Sequence, residues 1–387
     1  MKPMMSLSAL LCSLALVGFV SLSGCVRAPS SQEPAHEHSR QDGTPERDAG
    51  PQDTVTDKKP DETPTPDKPL SPDTPDRADT PAGSCSLLPR RNASDIRIVS
   101  YNVEKDSAFV PGSVMEARFV RLVKALKGDV YALQEVSTKP EEVAIRFNRW
   151  LPLPKGQSWQ ARYGGSTLTV SRYPIKTFHY RTQPSTGRKA TLTLLDLPDD
   201  RYKQDLYVMN QHFSCCGGAD NLTKRQREAD QTVNWIRYLK SKEGPITLTP
   251  NTPFVIVGDL NMVGSNQPLT TLLTGDIQNE DTFGKDIKPD WDDSNLADAK
   301  PSHNNQGKLF YTWRWDGSGF PNNRLDYVLY TDSVLQKKHS FVLDTLSMTA
   351  GELKACGLEN LDSAKSKDLF KIVYDHLPVV VDFQVQP

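Results

Sequence analysis

The sequence predicts a mixed α/β domain built on two sheets and set behind a long polar leader. Short apolar, β-branched runs recur from about residue 96 to the end of the chain and outnumber the helical patterns. The helices are interspersed among those runs, which is the signature of a layered α/β architecture. Mean hydropathy is −0.54 at 37% hydrophobic residues, so a polar segment dilutes an otherwise ordinary core.

Residues 1–24 place Lys2 before an apolar run through Leu10, Leu14, Val17 and Val20, closed by Ser21 and Ser23. The pattern is that of a secretory signal, too short for a comfortable membrane span. Its end, Leu22-Ser23-Gly24-Cys25, resembles the bacterial lipoprotein signal, and by that resemblance Cys25 is lipidated and anchors the chain without spanning. Val26 replaces the aspartate of inner-membrane retention, which directs the expectation to an outer membrane or cell surface. Residues 25–84 read as a Pro/Asp/Thr-rich disordered linker. Within 26–84 lie 11 of the 29 prolines, with 7 basic and 13 acidic residues, a net of −6. Such a composition cannot bury enough apolar surface to offset its ordering entropy. His36 and His38 read as solvated residues of this tether. The remaining 85–387 hold 38 basic and 35 acidic residues, a net of +3, which permits a phosphate-bearing substrate without demanding nucleic acid.

Within 85–387 the elements follow in order. Residues 96–103 read as a strand, 116–127 as a helix on the spacing of Phe119, Val120, Val123 and Leu126, and 129–136 as a second strand. Residues 168–175 read as strand, then turn; 191–197 and 206–212 read as two more strands. Cys215-Cys216-Gly217-Gly218 is a tight loop, followed by a helix over 221–240 with Asp220 or Asn221 as its cap. The run Phe254-Val255-Ile256-Val257 breaks at Gly258 and delivers Asp259 and Asn261. On an extended backbone, positions two apart point to one side, so the pair should project together from a sheet rim. A loop-rich stretch over 262–323 holds Trp291, Trp313 and Trp315, and His303 there reads as solvated. Strands over 324–330, 340–346 and 377–385 close the domain.

Cys85, Cys215, Cys216 and Cys356 remain in the exported part. Four cysteines allow three pairings, and structural disulfides are the expectation. Cys85 with Cys356 would leave a vicinal pair, which is strained when bridged, and cross-pairings stay open.

Polar residues stand at the ends of several apolar runs: Asn102, Glu135, Asn210, His212, Asp259, Asn261, Asp326, Asp375 and His376. Buried acids at strand ends are costly unless paired, hydrogen-bonded or holding a cation. Oxygen ligands dominate, which suits Mg²⁺ or a similar hard cation.

The motifs Ser100-Tyr101-Asn102-Val103, Gln134-Glu135-Val136, Ser171-Arg172-Tyr173-Pro174-Ile175, Asn210-Gln211-His212, Gly258-Asp259-Leu260-Asn261, Arg324-Leu325-Asp326-Tyr327 and Asp375-His376-Leu377-Pro378 occur in an order that resembles the endonuclease/exonuclease/phosphatase superfamily, the DNase I-like fold. The resemblance covers roughly 94–387. It implies a four-layer αββα sandwich of two packed mixed sheets with the site at one rim. It implies Glu135 as principal Mg²⁺ ligand (Mn²⁺ the alternative), with Asn102 beside it and Asp375 on the metal or phosphate side. It implies Asp259 as the acid on the attacking water, Asn261 as the amide on a phosphate oxygen, His376 as the histidine at the phosphate, Asp326 as the acid that orients it, and His212 as the second histidine of the DNase I branch. Glu104 matches an extra acid of apurinic-site nucleases. Asn210, Arg172, Lys224 and Arg225 are weaker substrate-binding candidates. Lys224, Arg225 and Arg227 also read as a solvated helix face. Tyr311-Thr312-Trp313-Arg314-Trp315 suits either core packing or base stacking. Pro321-Asn322-Asn323-Arg324-Leu325-Asp326 stands where the inositol phosphatase branch carries Pro-Ala-Trp-Cys-Asp-Arg, which argues against an inositide substrate.

The function expected is Mg²⁺-dependent phosphodiester hydrolysis by a lipid-anchored, extracytoplasmic monomer, with a nuclease as the leading reading. The alternatives are a sphingomyelinase-like phospholipid phosphodiesterase and a non-catalytic surface-binding module.

Overall fold

A computed structural model describes residues 85, 87–90, 92–241, 243–304, 306–315, 319–363 and 374–386. The signal segment, Cys25 and the linker to residue 84 lie outside the described residues. In chain order the elements are β1 (Ile96–Asn102), α1 (Val114–Leu126), β2 (Val130–Gln134), α2 (Pro140–Trp150), β3 (Gln160–Tyr163), β4 (Thr167–Ser171), β5 (Ile175–Thr182), β6 (Lys189–Leu195), β7 (Leu206–His212), α3 (Ala219–Lys240), β8 (Phe254–Asp259), α4 (Gln267–Thr274), α5 (Glu280–Phe283), β9 (Ala297–Asp298), β10 (Asp326–Tyr330), β11 (Leu335–Val342), α6 (Ala350–Cys356) and β12 (Val379–Val385). Among the described residues, no helix is long and apolar enough to cross a membrane.

The strands form two six-stranded sheets, β11-β12-β1-β2-β4-β3 and β5-β6-β7-β8-β10-β9. Each has one parallel pair at its centre, β1 with β2 and β7 with β8, among antiparallel neighbours. Those central strands are buried along their whole length, which explains why they read as continuous apolar runs without alternation. Their alternate residues serve different layers. Ile96, Ile98, Val130 and Ala132 meet Val208, Val255, Val257 and Val328 between the sheets. Val99, Tyr101, Tyr131 and Leu133 face outward onto Phe119, Leu122, Phe147 and Trp150 of α1 and α2. On the other side Tyr207, Met209, Phe254 and Ile256 pack on Ala229, Ile236 and Leu239 of α3 and Leu272 of α4. The result is the expected four-layer αββα sandwich.

Several boundaries differ from the sequence expectation. The turn expected after Ser171 is brief, and β5 follows at once as a half-exposed edge strand whose Lys176, Arg181 and Thr182 hide its pattern. The strand expected over 340–346 is β11, eight residues that begin at Leu335 and carry Gln336, Lys337 and Lys338, the polar dress of an edge strand. Helix α3 starts earlier than expected, behind Gly218, which has no capping side chain; Asp220 instead lies in its first turn, near the positive end of the helix dipole.

A buried ion pair ties the first and last strands of the domain. Arg97 and Asp382 are register partners in β1 and β12. Arg97 Nε and Nη2 donate to the two Asp382 oxygens at 2.6 and 2.7 Å, and Nη1 donates to the carbonyls of Leu88 and Leu126. The open question of pairing is resolved in favour of a Cys85–Cys356 disulfide, which closes the domain entry onto α6. Cys215 and Cys216 are free thiols.

Candidate active site

Parallel pairing sets the site. β1 and β2 run together, so Asn102 and the residue after Gln134 reach the same rim. β7 and β8 do the same in the second sheet, with His212 level with Asp259. The antiparallel β10 places Asp326 directly beside Asp259. His376 enters just ahead of β12, and its backbone bridges Trp313. Gly258 is indispensable to this convergence. It holds φ 139°, and a Cβ there would lie 2.0 Å from the Gln211 carbonyl oxygen of the neighbouring strand.

Asp259 Oδ2 is the hub. Asn102 Nδ2 donates to it at 3.1 Å, and His212 Nε2 and His376 Nε2 each stand 3.6 Å away. His376 Nδ1 donates to Asp326 Oδ2 at 2.7 Å. Asn102 Nδ2 also donates to Glu135 Oε1 at 3.2 Å, while its Oδ1 accepts from the Glu104 N–H. That backbone donor fixes the amide orientation, so Asn102 bridges two carboxylates through Nδ2 and keeps one lone pair of Oδ1 on the Glu104 N–H. Asn261 does not follow the strand alternation first expected of it. The chain has already left β8, Asn261 sits at φ 49°, its N–H donates to Asp259 Oδ1, and its Nδ2 donates to the Phe213 carbonyl. Glu135 also takes a left-handed φ of 58°. Its carbonyl accepts from the Asp106 N–H, and the Asp106 carboxylate is tied to Ser137 and Thr138. Asp375 Oδ2 accepts from Trp313 Nε1 at 3.1 Å, so that ring holds an acid of the site in addition to packing.

Burial forces the charges apart. Asp259 is pushed up to about 7 by desolvation, with the Asp326 and Glu135 carboxylates adding repulsion and His376 opposing it. Burial alone would lower His376, but Asp326 and Asp259 beside it outweigh that and hold it well above an ordinary imidazole. His212 is as near to Asp259, but the hydrogen-bonded Asp326 belongs to His376; burial, with Arg188 and His376 nearby, drives His212 well below the usual value. At neutral pH the two histidines flanking Asp259 therefore differ: His376 is the imidazolium and His212 the neutral ring.

Not every candidate lies here. Arg172 follows β4, which runs antiparallel to β2, so it sits at the opposite end of the sheet against Asp129. Asn210 faces the other sheet, fully buried. Its Nδ2 donates to the Leu133 and Leu168 carbonyls and its Oδ1 accepts from Gln134 Nε2, so no group is left for substrate. Arg225 is buried too, donating to the carbonyls of Ser214, Cys216 and Val263; it fastens two loops of the rim and is not part of a solvated face. Lys224 donates to Asn221 on its own helix, and Arg227 is exposed. His303 is buried and not solvated, with Nε2 2.7 Å from the Tyr311 carbonyl and Nδ1 3.2 Å from Asp344.

One contributor was missed. The Thr312 hydroxyl donates to Asp326 Oδ2 at 2.6 Å and accepts the N–H groups of Leu325 and Asp326. It thus shares with His376 the oxygen that orients the imidazole. The aromatic neighbours drew the sequence reading; the signal available was a lone hydroxyl flanked by Tyr311 and Trp313. Thr312→Val keeps the shape and strands two buried N–H groups. The expected result is a stability loss of about 1–3 kcal/mol and a fall in kcat with little change in KM, both restored by Thr312→Ser. Denaturant melts alongside kinetics check it, and an unchanged kcat in Thr312→Val would remove the positioning role.

The family model described as "Endonuclease/Exonuclease/phosphatase family" matches residues 99–348. No curated protein matches the sequence. Among solved structures, similar ones include ANGEL2, a 2′,3′-cyclic phosphatase in complex with adenosine-2′,3′-vanadate, at 14% identity and a TM-score of 0.50 over 76% of this chain and 96% of that one. The human Nocturnin catalytic domain with bound sulfate matches at 14% identity and TM-score 0.47, over 76% and 95% of the two chains. An endonuclease/exonuclease/phosphatase from Bacteroides vulgatus matches at 16% and 0.47, over 76% and 99%. At these identities the likeness is one of fold.

Proposed function

Because this chain belongs to the endonuclease/exonuclease/phosphatase family, we propose that it hydrolyses phosphodiesters with a divalent cation, Mg²⁺ foremost and Mn²⁺ as a substitute. The observation that carries this reading is the excess of buried negative charge around Asp259. Asp259, Asp326 and His376 bring ligand atoms within 4.8 Å of one another, and Glu135 and Asp375 add two more carboxylates at the rim. One imidazolium does not balance them, and Asp326 Oδ1 is buried with no hydrogen-bond partner among the described residues. His376 is committed to Asp326 as a donor, so the cation belongs on the Glu135 side, with Asp375 as the further acid. When bound, such an ion neutralises charge developing on the phosphoryl oxygens.

The residues of the chain supply the rest. Asp259 accepts the proton of the attacking water and aims it. The second Nδ2 hydrogen of Asn261 is free to hold a phosphate oxygen, and the His376 imidazolium donates from Nε2 to another. Asp326, steadied by Thr312, fixes the His376 ring. His212, kept neutral, crowds Asp259 without competing for its proton.

For the substrate we infer a nucleic acid strand. Its support is the cationic rim beside His212: Arg188 donates to the Phe213 carbonyl, and Lys189 stands 4.2 Å over the Tyr180 ring where β6 begins alongside the end of β7. Such a rim favours a polyanion over a headgroup that carries a cation of its own. The test is incubation of the purified domain with DNA, RNA and sphingomyelin, with Mg²⁺ or with EDTA. Metal-dependent cleavage of nucleic acid, abolished by EDTA and restored by Mg²⁺, is expected. Cleavage of sphingomyelin alone would overturn the nuclease reading, and undiminished cleavage in EDTA would overturn the cation.

A further inference from the structure

We propose that Cys215 and Cys216 form a reversible dithiol–disulfide site at the mouth of the active site, closed and opened by small-molecule disulfides and thiols. Consecutive side chains of an extended chain point to opposite sides, which ordinarily keeps adjacent sulfurs apart. Here Cys216 takes φ 76°, a left-handed conformation that is unfavourable for a non-glycine residue. The two Sγ atoms are brought to 2.7 Å, and both side chains are exposed to solvent.

The turn that holds them is braced from beneath. Arg225 Nη1 donates to the Ser214 and Cys216 carbonyls, and the Ser214 N–H and hydroxyl donate to Glu228. Strain of this kind persists only where the surroundings over-determine it, and the braces do so. The turn is also continuous with the site. His212 precedes it, and the Phe213 carbonyl anchors the Asn261 amide. The chain closes a disulfide elsewhere, Cys85–Cys356, so its fold is compatible with oxidising surroundings.

The chemistry balances with a disulfide oxidant such as oxidised glutathione. One thiolate of the pair attacks the oxidant, forming a mixed disulfide and releasing one thiol. The neighbouring sulfur, losing its proton, attacks the protein sulfur of that mixed disulfide and expels the second thiol. The pair gives up two electrons and two protons, and the oxidant's S–S bond takes them. Partial desolvation against the turn and the adjacent Cys215 push the Cys216 thiol up to about 11 although its side chain reaches solvent, so the exchange quickens toward alkaline pH.

The test uses the full mature protein equilibrated with oxidised glutathione, trapped with iodoacetamide and analysed by peptide mass. The peptide holding both residues is expected to lose two hydrogens and both alkylation sites, and dithiothreitol is expected to restore them. In Cys216→Ser, Cys215 is expected to keep a glutathione adduct that the wild-type chain resolves. Two alkylatable thiols after oxidation, a lasting glutathione adduct on the wild-type chain, or a bridge from either residue to Cys85 or Cys356 would each overturn the proposal. These readouts do not depend on catalysis, so they stand apart from the fate of the phosphodiesterase reading.

Discussion

Asp259→Asn is expected to lower kcat/KM for a phosphodiester by about 10²–10⁴-fold, the span over which a positioned general base contributes, with the fold intact by circular dichroism. The replacement is isosteric, and the Asn102, His212 and His376 neighbours of Oδ2 remain in place. What is lost is the carboxylate at the hub that takes a proton from the attacking water in the proposed mechanism. The pH profile sharpens the test. Asp259 must be ionised to act, and burial has moved it up to about 7, so wild-type activity should rise with pH through that region. The residual activity of Asp259→Asn should lack that limb. Stability should move the other way. A carboxyl whose folded value is raised contributes stability that is complete below the unfolded value and lost as pH rises through the folded one. Relative to the wild type, then, Asp259→Asn should gain stability as pH rises through neutrality while turning over far less. An Asn variant that keeps wild-type kcat/KM would remove Asp259 from the mechanism.

Breaking the Arg97–Asp382 pair is the largest stability effect expected. Either Arg97→Met or Asp382→Asn alone should cost about 3–5 kcal/mol, because each takes from a buried charge its bidentate partner; in Arg97→Met only His339 remains against Asp382. Replacing both together with apolar residues should cost much less, and denaturant midpoints of the two single variants and the double variant would measure the contrast. Burial would raise Asp382, but the hydrogen bonds from Arg97, with His339 Nδ1 3.5 Å away adding to them, outweigh it and hold the carboxyl below its ordinary value. A depressed carboxylate contributes stability that is present above its unfolded value and lost as pH falls through the folded one. The wild-type domain should therefore lose part of its stability below about pH 4, and the double variant should lose less over the same window. Single variants within about 1 kcal/mol of wild type would show that the pair is relaxed or hydrated in solution.

The sequence made the rim legible because a buried strand that ends in an acid or amide needs a reason, and several such endings demanded a common one. Asn102, His212 and His376 do converge on one Asp259 oxygen, with Asp326 behind His376. What could not be read was direction. Ser171-Arg172 ends an apolar run just as Gln134-Glu135 does, but β4 runs opposite to β2 and carries Arg172 to the far end. Asn210 shares a face of β7 with His212, one step deeper, where the carbonyls of the other sheet cover it. Nor does spacing reveal a residue that works through a neighbour. Thr312 and Asp106 act by hydrogen bonds to segments distant in the chain, and His303 found its partners across a loop-rich stretch that carried no periodic pattern. Edge strands β5 and β11 were blurred for a different reason: half their surface faces water, and polar side chains erase the apolar run.

The Cys85–Cys356 link makes the domain a covalent ring with a short tail. Of the residues assembled at the rim, Asn102, Glu135, His212, Asp259, Asn261 and Asp326 lie inside the ring, whereas Asp375 and His376 ride on the tail with β12. A single peptide cut inside the ring opens it without shedding a fragment, and every group at the rim stays tethered in place. A cut between Cys356 and Asp375 frees the tail, and with it an interior strand of one sheet, the partner of Arg97 and the imidazolium. The same protein is thus tolerant of nicking over most of its length and vulnerable in one short interval.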